Sequence, residues 1–149
     1  MPKAFGAICA FLLVVSAGCR ETSLANSTSQ PTYVLLTYLV GGPASYDGRF
    51  VRVAGYCRIE FEGNGLYVDA EAMRSTYGGA KSMWLDVGWP PSERVRSLNG
   101  KFVVVDATVD AHSQGHEGAY RGALRVTRIE ETTVAREREA MLRVIAHPR

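Results

Sequence analysis

The chain has 149 residues, is 46% hydrophobic and 21% charged, and carries a formal charge of +2. That length closes one hydrophobic core and leaves little for a second. The near balance of charge does not suggest a dedicated nucleic-acid binder, so no nucleic acid is expected as a partner.

In chain order, the first element is a targeting segment: Lys3, the apolar run Ala4 to Val15, then the small residues Ser16, Ala17 and Gly18. The run is too short for a permanent membrane span, which needs about 20 residues. The stretch Val15-Ser16-Ala17-Gly18-Cys19 resembles the lipobox of bacterial lipoproteins, with Ser16 standing where leucine is favoured. The resemblance implies cleavage before Cys19, lipidation of that cysteine, and export to the cell envelope with the membrane held through the lipid; the alternative is an ordinary signal peptide, cut nearby and released as a soluble protein. Arg20 stands where an aspartate would signal inner-membrane retention. By the same resemblance, a cell with two membranes would carry the protein on the outer one, facing the periplasm. The expected division is 1–18 signal peptide, 19–32 flexible polar tether, 33–131 folded domain and 132–149 C-terminal tail. Loss of Lys3 with the signal brings the net charge to +1.

Tyr33 to Val40 suits a short helix or a first strand and ends at the breaker Gly41-Gly42-Pro43. Asp47-Gly48 marks a turn into a long strand. In that strand Val51, Val53, Cys57, Ile59 and Phe61 share one face, and Arg52, Arg58 and Glu60 the other. Gly55 interrupts the apolar face, which predicts a bulge or sharp bend. Glu62-Gly63-Asn64-Gly65 turns a hairpin into Leu66, Tyr67 and Val68. Ala70 to Ser82 reads as a loop with room for one helical turn. Met83 to Val87 is a third strand, closed by Pro90-Pro91, and Ser92 caps a brief helix through Ser97 with Glu93 in its first turn. Asn99-Gly100 leads into Lys101 to Asp110, where Phe102-Val103-Val104-Val105 predicts a strand buried on both faces. A glycine-rich loop, Ser113 to Gly118, precedes a fifth strand from Tyr120 to Ile129. Val134 to Ala146 suits a short helix with Met141, Leu142 and Ile145 on one side, its Arg136-Glu137-Arg138-Glu139 run a solvated face.

Three strands, a short helix and two strands, the first strand long and bent, make an all-β chain with the element order of the OB-like Greek-key barrel. An open sandwich of the same strands is the rival. The segments Tyr46 to Val53, Ile59 to Asn64, Met83-Trp84-Leu85, Asn99 to Phe102 and Gly115-His116-Glu117-Gly118 resemble a family of small bacterial proteins without established activity. The likeness covers Tyr33 to Glu131 and implies an OB-like domain, with nothing about chemistry.

Candidate chemistry is sparse. His112 and His116, with Asp110 and Glu117 nearby, are the candidate metal ligands, although their loop supplies no third ligand in a compact motif. The same residues also read as a polar turn whose glycines take positive φ. Arg52, Arg58, Arg121 and Arg125 are the candidate ligand face, for which Glu60, Glu130 and Glu131 are alternative, purely structural partners. Tyr56, Tyr67, Trp84, Trp89 and Tyr120 offer a stacking platform or, equally, core and rim residues. Cys57 alone remains in the domain, which excludes an intramolecular disulfide there, and its parity predicts a buried, inert thiol. No nucleophile elbow, phosphate loop or catalytic set is present, so no catalytic residue and no cofactor is expected. The expected function is a membrane-tethered, non-enzymatic module that binds an envelope protein or small ligand. The alternatives are a metal-binding protein or metal-dependent hydrolase at His112 and His116, and an assembly factor without a ligand pocket.

Overall fold

The computed structural model describes residues 30–61, 63–75 and 78–146. The signal segment, Cys19 and most of the tether lie outside the described residues. The molecule is organised by β2 (Phe50–Arg58), whose side chains alternate strictly, with Val51, Val53 and Cys57 fully buried and Arg52, Tyr56 and Arg58 on the outer side. One edge of β2 pairs antiparallel with β5 (Phe102–Asp110), from Phe50 opposite Thr108 to Tyr56 opposite Phe102. The other edge is shared. Its start takes β1 (Thr32–Tyr33) in parallel, and its end takes β3 (Gly65–Tyr67) antiparallel from Tyr56 onward.

The remaining pairings close the ring. β3 lies antiparallel to β4 (Ser82–Asp86), β4 parallel to β6 (Ala123–Glu131), and β6 antiparallel to β5. The closed order β2-β3-β4-β6-β5, returning to β2, with one parallel contact, is that of an OB barrel, and it excludes the open sandwich. Closure removes free edges from these five strands, and β1 is the sole addition outside the ring among the described residues.

Short helices stand at the two ends, and the first in the chain plugs one of them. In α1 (Leu36–Gly41) the residues Leu36, Leu39 and Val40 follow i, i+3, i+4 spacing and are buried together, so one helical face enters the core. Full burial of Leu39 alone contributes about 2 kcal/mol. The helix stops at Gly42, whose N–H bonds to Tyr38 O at 3.0 Å, and Pro43 cannot continue it. The region Tyr33 to Val40 thus supplies both a strand and a helix. After β3 comes a single helical turn, α2 (Ala70–Arg74), capped by Asp69, and before β4 a 3₁₀ turn, Gly78–Lys81. The brief helix α3 (Glu93–Arg96) is capped as the sequence implies, Ser92 Oγ accepting from Val95 N–H at 3.3 Å. Arg94 of α3 donates to Ile129 O near the end of β6, whereas Arg121, just before β6, donates to Val40 O of α1. The two helices therefore occupy opposite ends of the barrel. The tail helix is α4 (Val134–Ala146).

Two local expectations are corrected. Gly55 carries no bulge, because its register with β5 runs through unbroken. A Cβ there would sit 2.7 Å from Tyr67 O and 2.8 Å from Leu36 Cδ2, so the glycine admits a neighbouring backbone and the plug helix. The register shift lies instead between β5 and β6, at Asp106/Ala107. Nor is the start of β5 buried on both sides: Val103 and Val105 face the core, while Phe102 and Val104 are half-buried on the outer face. Cys57 is a free, fully buried thiol whose pKa burial pushes up to about 12.

Candidate functional site

The outer faces of β2, β5 and β6 carry charge where parity points them to solvent, and α4 crosses above them. Between helix and barrel lies a cleft of about 240 Å³, lined by Tyr33, Arg52, Val104, Asp106, Arg128, Glu130, Arg136 and Glu137 among others. Its floor is the opposed pair Arg52 and Asp106, directly facing in the β2–β5 register. Arg52 Nε donates to Asp106 Oδ1 at 2.6 Å and Nη2 to Oδ2 at 2.7 Å, a bidentate arrangement that fixes both groups. The Asp106 side chain is only 10% exposed, and Arg128 Nη1 stands 3.9 Å from its second oxygen. Arg128 in turn donates to Glu130 at 2.7 Å, and Arg94 lies 3.8 Å from Glu130.

The roof is held by one carboxylate. Tyr33 OH donates to Glu137 Oε2 at 2.6 Å and Thr132 Oγ1 donates to Oε1 at 2.7 Å. Thr133 Oγ1 accepts from Arg136 N–H at 3.3 Å and helps start the helix. The Arg136 to Glu139 run is therefore only partly a solvated face, because Glu137 points down and docks α4 on β1. Every resolved shift in the cleft moves away from neutrality. The hydrogen bonds to Asp106 raise Arg52, and the partner Arg128 holds Glu130 below the usual carboxylate range. Burial, then the bond to Glu137, raises Tyr33. Fixed charges of alternating sign suit recognition, whereas proton transfer needs groups poised near neutral pH.

The four candidate arginines are not gathered at one place. Arg52 lies in the cleft. Arg58 places its guanidinium carbon 5.1 Å from the Tyr67 ring centroid and its Nε 4.0 Å from Glu60 Oε1. Arg125 bonds Asp110 Oδ2 at 2.6 Å, which holds that carboxylate below its ordinary pKa, and Arg121 donates to Val40 O. Of the acidic residues offered as partners, Glu60 faces Arg58, Glu130 faces Arg128, and Glu131 bonds Lys101 at 2.6 Å. Sequence reasoning missed Asp106, Arg128, Tyr33 and Glu137. The parity of β5, with Val103, Val105, Ala107 and Val109 inward, carried a signal for Asp106, since it sets Asp106 outward on the strand that faces β2.

The aromatic residues divide. Tyr67 and Tyr120 are buried, their hydroxyls 3.5 Å apart, with Trp84 edge-on to Tyr120 at 5.2 Å. Gly65 lets both tyrosines approach, and Gly115, at φ +66, lies against the Trp84 ring. Asn64 is buried beside them in sequence, with its Oδ1 unpartnered among the described residues. The outer side of β3 and β4 with its flanking loops, where OB barrels hold extended ligands, is thus filled here by the chain's own side chains. Trp89 stands apart, exposed and edge-on to Phe61 at 5.5 Å.

The His112 loop is a polar turn. Asp110 Oδ1 accepts from His112 and Ser113 N–H at 3.1 Å each, and Gly115 and Gly118 take positive φ. His112 faces Asp47 at 3.7 Å and His116 faces Glu117 at 3.8 Å. Among the described residues no group of three or more His, Cys, Asp or Glu is placed to hold a metal ion.

No protein-family model matches the sequence, and the comparison with curated proteins finds no match. Among solved structures, a chain of the Schizosaccharomyces pombe Stn1-Ten1 complex is similar, with TM-score 0.47 and 13% identity, over 80% of this chain and 95% of that one. A Leishmania major Friedlin chain named as an aspartyl-tRNA synthetase gives TM-score 0.42 and 16% identity, over 74% of this chain and 22% of that one. Neither score reaches 0.5, and the OB assignment rests on the strand order itself.

Proposed function

We propose that this chain is a non-enzymatic binding module, held in the bacterial cell envelope by lipid on Cys19, that takes a charged segment of a protein partner into the cleft between the barrel and α4. The observation that carries the reading is the alternating row Arg52, Asp106, Arg128 and Glu130, set on rigid strands and roofed by a docked helix. Strand-borne charges keep their geometry when a ligand enters, so little ordering cost is added on binding. Complementary charge in the partner sets register and on-rate more than raw affinity. A tether to the membrane would raise the effective concentration near a membrane-bound partner into the millimolar range for a short linker.

The test is in-cell crosslinking of the full-length protein followed by mass spectrometry. Wild type is compared with Arg128→Gln/Arg136→Gln, two exposed residues on the walls of the cleft. A partner captured by wild type and lost from the folded variant is the expected result. Equal capture by both proteins moves the binding surface elsewhere.

A further inference from the structure

Five of the eight large hydrophobic residues that stand exposed among the described residues line two adjoining grooves between α1 and α4: Leu35 and Tyr38 around α1, and Val134, Val144 and Ile145 on α4. Tyr38 is 64% exposed and Ile145 66%. An apolar groove of about 390 Å³ runs between these two elements, walled also by Tyr46 and Met141. No carboxylate lines it, and its one cation, Arg49, lies 5.4 Å from the Tyr46 ring centroid. Past Met141 the surface continues into a second groove of about 320 Å³ that adds Arg138. The acids of α4 near this surface are engaged, Glu137 by Tyr33 and Thr132, and Glu139 by Arg143. An apolar strip edged by arginines is what the boundary between lipid headgroups and acyl chains accommodates.

We infer that this α1–α4 strip seats the barrel on an anionic lipid surface. The inference rests on the lipid-anchor reading and deepens it. The tether selects this occupant over a protein: Thr32 and Tyr33 are walls of the groove, so the chain leaves for its anchor from within the strip. Gln30 is 11 residues from Cys19, a reach of at most about 40 Å when fully extended. Anchoring therefore holds this face within about 40 Å of the bilayer, inside the range from which it can seat.

The test uses the exported full-length product, reconstituted in vesicles of phosphatidylcholine with a minority of phosphatidylglycerol, its Cys19 adduct read by mass spectrometry. A polarity-sensitive fluorophore is placed on Ile145→Cys, and separately on Ser97→Cys beside α3 at the far end of the barrel. Cys57, buried in the core, stays unlabelled in the folded protein. Seating predicts a blue-shifted Ile145 label quenched severalfold more by brominated lipid than the Ser97 label. Equal quenching at both sites, with lipid on Cys19, overturns the seating and leaves the anchor standing. A blue shift without lipid quenching marks a protein occupant, a second copy or a partner, and also overturns it. An unmodified Cys19 overturns the anchor reading and the seating with it.

Discussion

Replacing Arg52 by alanine removes both donors that hold Asp106, and the cost follows from how far each group is withdrawn from water. Asp106 keeps 10% of its side chain exposed, and Arg52 36%. Breaking a fully buried pair costs about 3–5 kcal/mol, whereas an exposed pair contributes about 0.2–1 kcal/mol. This pair lies between, and Arg128, 3.9 Å away, remains as a weaker partner for the abandoned carboxylate. We expect Arg52→Ala to cost about 2 kcal/mol, because a nearly buried anion is left with one distant cation. Asp106→Ala should cost about 1 kcal/mol, because the arginine left behind still reaches water. The double variant should cost less than the sum, with a coupling of about 1 kcal/mol or more. Urea unfolding of the four proteins at constant m-value measures the cycle. Costs that add to within about 0.3–0.5 kcal/mol would refute the reasoning, since groups that do not interact behave that way.

Further expectations follow from other parts of the molecule. Leu39→Ala, which empties part of the α1 plug, should cost about 2–5 kcal/mol in the same unfolding assay, and a loss under 1 kcal/mol would mean that α1 does not seal the barrel. Gly115→Ala forces a Cβ to within 2.6 Å of Trp84 at φ +66 and ψ −155. That backbone region is nearly glycine-only, so the cost should be about 1–3 kcal/mol with altered Trp84 fluorescence. Cys57 should resist thiol reagents until the protein unfolds. Its pKa, raised to about 12 by burial, favours the folded state fully below the unfolded thiol's value near 8.5. That contribution is lost as pH rises toward 12, so the stability gap between wild type and Cys57→Ala should narrow through that window. A gap independent of pH would contradict the burial argument.

The barrel was legible because its long central strand carries strict parity and its turns carry clear breakers. Val51, Val53 and Cys57 on one side and Arg52 and Arg58 on the other define β2 without reference to any partner. The turns at Asp47-Gly48, Gly63 to Gly65 and Asn99-Gly100, with the Ser92 cap, set the order of three strands, helix and two strands. At Gly55 the bulge half of the expectation failed because an alternating pattern cannot distinguish a bulge from the close approach of Tyr67 O and Leu36. The cleft was mostly invisible for a different reason. Its parts come from residues 33, 52, 106, 128 and 137, brought together by register and by the docking of α4. A run such as Arg136 to Glu139 shows no sign in sequence that one carboxylate turns down onto a tyrosine 104 positions earlier. The aromatic residues had the right composition for a platform, yet the pairing of Gly65 with Trp84, and the loop that brings Tyr120 over Gly65, set Tyr67 and Tyr120 in a second small core with Tyr56 and Trp84 packed against it.

The most direct test of the proposed binding surface is site-resolved photocrosslinking in living cells, with a benzophenone amino acid placed at Ala140 on the cleft wall and, separately, at Ser97 beside α3. The account predicts a discrete protein adduct from position 140 and none from position 97. An adduct confined to position 97, or no adduct from either position, would contradict it.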